Sequence, residues 1–311
     1  MSIGKHTDAL LGMDLIQVAM GGTSIFLNSL LLISNYKRNN TRWAIDGILI
    51  SITALLDCIV GLFLVCGTLL RISNPSIVYD NSPWCIVSFI TSRILTIACL
   101  DLVAILSLVR YLVINRNHSQ CPKLWVSISI LVLLSLSTIA VFRILTEKLS
   151  VFPSRMYCTP IPSPKTTILA RLTEGLCLLP LVIIPLCYIS ITASYTRRAY
   201  ITYGGEFPVN SRPVRRILGV MLIILAYYAA TVPEYVIVGT FRIYNQLPSP
   251  LVDAISTIAF TSIPLINAIF PLMFHEEINA AYCSLLSYRP SSPHSISLYS
   301  TQSSIPNIPS I

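Results

Sequence analysis

The chain has 311 residues, 54% of them hydrophobic and only 11% charged, with a net charge of +8. A soluble domain carries about 25% charged residues, and the surface-to-volume ratio of a soluble fold of this length leaves too many side chains in water to hide so much apolar surface. The composition excludes a soluble domain, points to lipid as the solvent, and assigns the positive charge to basic loops beside anionic headgroups rather than to nucleic acid.

A spanning helix needs about 20 mostly apolar residues, because each rises 1.5 Å through a hydrocarbon core roughly 30 Å thick. Seven stretches meet this, at about 14–34, 46–70, 85–114, 123–145, 167–195, 214–240 and 250–274. Residues 1–13 precede the first without a cleavage site, so that helix is expected to act as its own insertion signal. The third, fifth and sixth stretches carry polar residues and are expected to face lipid on one side and protein on the other. After the seventh, Ile278, Ala281, Tyr282 and Leu285 share one face, which predicts a short amphipathic eighth helix on the membrane surface. Cys283 within it is either a palmitoylation site or an unmodified interfacial thiol. Residues 287–311 are rich in Ser and Pro and read as a disordered tail. The expected fold is therefore all-α, a seven-transmembrane helix bundle over 14–286 with that eighth helix.

Basic residues set the orientation. The loops on one side hold twelve Lys and Arg and those on the other hold eight, which places the N-terminus outside and the tail in the cytoplasm, with the plasma membrane as the expected location. The sequons at Asn39 and Asn117 then fall in cytoplasmic loops and stay bare. Of the nine cysteines none forms a CxxC pair or zinc spacing. There is no His/Glu metal motif, no Gly-x-Ser-x-Gly and no catalytic carboxylate pair, so no enzyme and no cofactor is expected. A seven-helix transporter or channel is the alternative, against which stands the lack of an internal repeat.

The sparse internal polar residues carry more information. Asn28 lies in the first helix and Asp57 in the second, where a carboxylate costs about 2.5–3.5 kcal/mol at the bilayer centre unless it has partners. Cys85 and Arg110 bracket the third helix twenty-five residues apart, about 37 Å, enough to cross the core. Trp125, Pro180 with Tyr188, Pro233, Asn267 and Pro271 follow in the later helices. In these residues, over 14 to about 286, the chain resembles the rhodopsin-like (class A) G-protein-coupled receptors. Arg110-Tyr111 resembles the end of that family's Asp-Arg-Tyr motif, and Pro271 the proline of its Asn-Pro-x-x-Tyr motif. Pro185 competes with Pro180 as the aligned proline of the fifth helix but leaves no Tyr at the right offset.

The resemblance implies a receptor that passes an extracellular small-molecule or peptide signal to a heterotrimeric G protein. It also implies a disulfide between Cys85 and Cys158. Coupling and switching are expected at Arg110, Tyr111, Tyr188, Pro233, Pro271 and Phe274, with Pro233 letting the sixth helix pivot. A buried cluster of Asn28, Asp57 and Asn267 is expected, in which Asp57 is met either by Na⁺ or by a proton and its neighbours. Ligand candidates are Ser92, Arg93, Glu174 and Glu234. Arg93 and a Glu either serve a ligand, preferably an anionic or zwitterionic one, or simply neutralise each other. The departures are Val109 for the acid before Arg110, Tyr227 and Thr231 for Phe and Trp, and Phe270 and Phe274 for Asn and Tyr. They imply a divergent member with altered switching and raised basal activity, or one that kept the fold and lost signalling. The seventh helix has no Lys to hold retinal, and the outer third helix has no Asp for an amine.

Overall fold

The computed structural model describes residues 3–38, 45–116, 121–161, 167–203, 212–244 and 248–274. The sequons, the expected eighth helix with Cys283, and the tail lie outside the described residues. Seven helical rods make up the bundle. They are α1 (Ile3–Arg38), α2 (Ile45–Ser73), α3 (83–116), α4 (Pro122–Thr146), α5 (Thr167–Tyr203), α6 (Arg212–Tyr244) and α7 (250–274). Their starts are chemically marked. The Ser82 hydroxyl accepts from the Cys85 amide with Pro83 in the first turn, and Ser249 does the same for Val252 ahead of Pro250.

Among the described residues, six of the rods contain windows long and apolar enough to cross a membrane, and α5 contributes the apolar stretch Leu178–Ser194. Lipid-facing residues such as Leu131, Leu134, Leu186 and Leu225 are exposed, as expected where lipid replaces water. The chain is thus a multi-pass membrane protein built as an all-α seven-helix bundle. In α3 and α7, 56% and 61% of the spanning window is buried, against 22% in α4, so α3 and α7 are inner rods and α4 a peripheral one. Gly21 and Gly61 let α1 and α2 approach closely: a Cβ on either would lie under 3 Å from the other's carbonyl oxygen.

Three features depart from plain helices. The rod α3 consists of Pro83–Ser88, a π-helical turn Phe89–Leu95 and Thr96–Arg116. Such turns occur mostly at functional sites. In α7, Pro250–Thr261 and Ile263–Phe274 are separated at Ser262. Between α4 and α5 runs an antiparallel hairpin, β1 (Lys148–Val151) and β2 (Cys158–Ile161), which the apolar pattern did not announce. The segment 80–81 covers the free edge of β1: the Asn81 amide donates to the Leu149 carbonyl, and the Asp80 and Asn81 side chains accept from the Val151 and Leu149 amides. The rod α1 also begins well before residue 14, because Asp14 and Gln17 find partners on α2, described below.

Candidate functional site

At one end of the bundle Cys85 of α3 is bonded to Cys158 of β2, the pairing that the resemblance implied. This tether draws the hairpin tip, residues 152–157, down between the helices. Phe152, Ser154, Met156 and Tyr157 are all buried there. Three further contacts pin the tip. Arg71 of α2 donates to the Arg155 carbonyl at 2.9 Å. The Ser154 amide and the Tyr157 hydroxyl donate to the two carboxylate oxygens of Asp253 at 2.9 and 3.0 Å. Arg71 also pairs with Asp14 of α1 and donates to Gln17, which accepts from Thr68 as well.

Arg93 sits in the π turn beneath this tip and is ion-paired with Glu234 of α6. Its guanidinium lies 4.2 Å from the Tyr157 ring centre and 5.4 Å from that of Phe260, both within cation–π range. The other Glu234 oxygen accepts from Ser256 of α7 at 2.9 Å. The ion pair that the sequence reading allowed for Arg93 is thus present, and it is compatible with a ligand role. The Ser92 hydroxyl is buried and donates to the Ser88 carbonyl of its own helix. Glu174 lies on α5, but its side chain is outside the described residues.

Midway through the bundle, Asp57 is fully buried, and both of its carboxylate oxygens accept from the Asn267 side-chain amide nitrogen, at 3.2 and 3.1 Å. Asn267 in turn accepts from the Tyr227 hydroxyl at 2.6 Å. Tyr227, in place of a phenylalanine, thereby adds a polar link from α6 to α7 and α2. Thr231, one turn on, donates to the Tyr227 carbonyl. Asn28 bonds elsewhere than expected. Its amide donates to the Pro264 carbonyl at 3.1 Å and to Ser24, tying α1 to α7, while its Oδ1 is buried without a donor. A small cavity bordered by Asn28, Asp57, Asn267 and Phe270 is near the minimum size for one water. Hard cations take about six oxygens. Here both Asp57 oxygens already accept from Asn267, the thiol of Cys99 lies against Asp57, and among the described residues bordering the cavity Asn28 Oδ1 is the oxygen without a donor. These residues suit a water better than Na⁺.

At the opposite end Arg110 is 8% exposed although it follows Val109 rather than an acid. Asp46, in the first turn of α2, supplies the missing carboxylate from another helix, 3.5 Å away. Arg110 also donates to the Tyr188 hydroxyl of α5 at 3.0 Å and lies 5.4 Å from the Phe270 ring of α7. Tyr188 and Phe270 meet edge to face at 5.2 Å. Phe270 thus joins a cation–π and aromatic cluster where the family's Asn would make polar bonds. Tyr111 is partly buried against the core. Pro233 and Pro271 lie within α6 and α7, and the side chain of Phe274 is outside the described residues.

Residues of these clusters that were not among the sequence candidates include Asp46, Arg71, Tyr157, Asp253, Ser256 and Tyr227 as a hydrogen-bond donor. Asp46 and Asp253 carried a signal, each as an acid in the first turn of a helix, and helix-dipole compensation explains such an acid equally well.

An inner rod with a disulfide-tethered hairpin at one end and an arginine at the other defines the class: a membrane protein with the rhodopsin-like G-protein-coupled receptor fold. Among solved structures, the chain is similar to squid rhodopsin, with a TM-score of 0.69 over 89% of this chain and 85% of that one at 14% identity, a likeness of fold alone. No protein-family model and no curated protein sequence matches it.

Proposed function

We propose that the protein is a receptor that carries a signal from a ligand at the disulfide end to a heterotrimeric G protein at the Arg110 end. The disulfide end faces outward, with residues 1–13 outside and residues 287–311 in the cytoplasm, in keeping with the excess of basic residues in the loops on the Arg110 side. The plasma membrane is the proposed location. The observation that carries this reading is the division of α3: Arg93 at one end is engaged by the hairpin and α6, Arg110 at the other by α2 and α5, and the chain Asp57–Asn267–Tyr227 lies between.

Arg110 is the coupling residue, restrained by Asp46 and Tyr188 until α6 moves. Tyr111, Tyr188 and Phe270 shape the mouth that receives the G protein, and the resemblance assigns Phe274 to the same coupling role. Pro233 lacks an amide proton, which frees a carbonyl and lets α6 pivot one residue from Glu234. A ligand that alters the Arg93–Glu234 contact shifts that pivot only by its differential affinity for the two positions of α6. Asp57, Asn267 and Tyr227 transmit the change through α2, α7 and α6, and a palmitate on Cys283 would anchor the segment that follows.

The test is guanine-nucleotide exchange on a panel of G proteins, in membranes holding the chain or its Arg110→Ala variant at equal surface expression. Loss of exchange in the variant is expected. Unchanged exchange, or a solute current that survives the substitution, overturns the reading in favour of a transporter or channel.

A further inference from the structure

Tyr157 is 1% exposed although it belongs to a loop, and its side chain meets chemistry that a ligand would otherwise meet. One side of its ring is engaged by the Arg93 guanidinium at 4.2 Å, and the Phe152 ring lies 5.0 Å away, tilted by 31°. Its hydroxyl donates to an Asp253 oxygen at 3.0 Å. The surroundings combine an aromatic slot, a cation at the ring and a carboxylate at the far end. Benzene-like rings would satisfy the slot but leave the carboxylate short of a donor. Anions would face Glu234 and Asp253, two acids against one arginine, which weighs against the anionic form of the anionic or zwitterionic ligand that Arg93 alone suggested. A neutral ring with a para hydroxyl satisfies every group at once.

We propose that the space between Arg93, Phe152 and Asp253 is a phenol-binding site that the chain fills with its own Tyr157. An external ligand that reaches it carries a phenolic ring, free or as a tyrosine of a peptide, and takes the place of that side chain. The second statement rests on the receptor reading; the existence of the site does not. The hairpin tip is then a tethered occupant. A ligand competes with an intramolecular partner whose effective concentration is set by the Cys85–Cys158 tether, and such short tethers give millimolar values or above.

Chemical complementation tests this on the purified full chain in lipid nanodiscs. In Tyr157→Ala the melting temperature falls by several degrees, and millimolar p-cresol, the tyrosine side chain as a free molecule, restores part of the loss. Wild type, whose slot is full, does not respond. Toluene, the same ring without the donor, requires at least about tenfold more for the same shift, because a hydrogen bond to a charged group is lost. Equal potency of cresol and toluene, an equal response of wild type, or no response of the variant overturns the proposal. Where Tyr157→Ala does not fold, Tyr157→Phe and Asp253→Asn singly and together decide: coupled losses are expected, and strictly additive ones overturn it. These readouts need no G protein, so silence in nucleotide exchange alongside specific cresol binding counts against the receptor reading only.

Discussion

The two ends of α3 each carry an ion-paired arginine, 13% exposed at Arg93 and 8% at Arg110, and they are held in different ways. Arg93 is paired with Glu234, of which 1% is exposed, and sits beneath a loop that is tied by a disulfide, by Asp253 and by Arg71. Close to it are two more ion pairs, Arg71 with Asp14 and Arg143 with Glu147 at 2.9 Å. Arg110 meets the Asp46 carboxylate at 3.5 Å, and that carboxylate belongs to a side chain 24% exposed. A buried pair is costly to break, because the abandoned charge stays in a low dielectric. A pair that opens to solvent exchanges its partner for water at little cost. The disulfide end is therefore built to hold one arrangement, and the Arg110 end to change partners.

The sharpest way to break this contrast is Glu234→Gln, which removes the carboxylate that is ion-paired with Arg93. A loss of about 3–5 kcal/mol is expected, read from thermal unfolding in nanodiscs; a loss under about 1 kcal/mol would place both ends in the same class. Next comes Cys158→Ser, which frees the hairpin tip. About 2–4 kcal/mol is expected, with increased hydrogen exchange at residues 152–157. Asp46→Asn sharpens the other side of the comparison. Stability should fall by less than about 1 kcal/mol, whereas basal nucleotide exchange should rise severalfold because Arg110 loses its restraint. The smallest effect is a pH dependence of the hairpin edge. The Val151 amide holds the Asp80 carboxyl below its ordinary range against the opposing effect of burial, with lesser help from Lys148 and Ser150. A depressed folded value means that the contribution is complete above the unfolded value of about 3.9 and disappears as pH falls through the folded one. Since Asp80 is 41% exposed, solvent screening keeps the contribution below about 1 kcal/mol. Amide exchange at Val151 should accelerate below about pH 4 beyond its intrinsic rate, and Asp80→Asn should remove that excess.

Much of the frame was legible before any coordinates. Cys85 and Arg110 are placed by the rise of a single helix, and their separation is a property of sequence distance. Asp57 was recognisable because a carboxylate in an apolar run demands partners. The identity of those partners was less accessible: Asn267 takes both carboxylate oxygens while Asn28 turns to Pro264. Ser92, expected to face a ligand, bonds its own helix instead. Tyr157 is one of 15 tyrosines and lies in a polar loop, so nothing local distinguished it. Val109 suggested that Arg110 had lost its restraint, yet the acid had moved to another helix.

Alone, the amino-acid order determined that lipid is the solvent, how many rods cross it and which residues lie near each end, because hydropathy and helical rise accumulate along one segment. Tertiary structure decided which charge meets which. Asp57 and Asn267 are 210 positions apart, Arg93 and Glu234 141, and Arg71 and the Arg155 carbonyl 84. Contacts at such separations depend on how each helix is rotated about its axis, on the π turn in α3 and on a hairpin drawn inward by its disulfide, none of which is a local property of the chain.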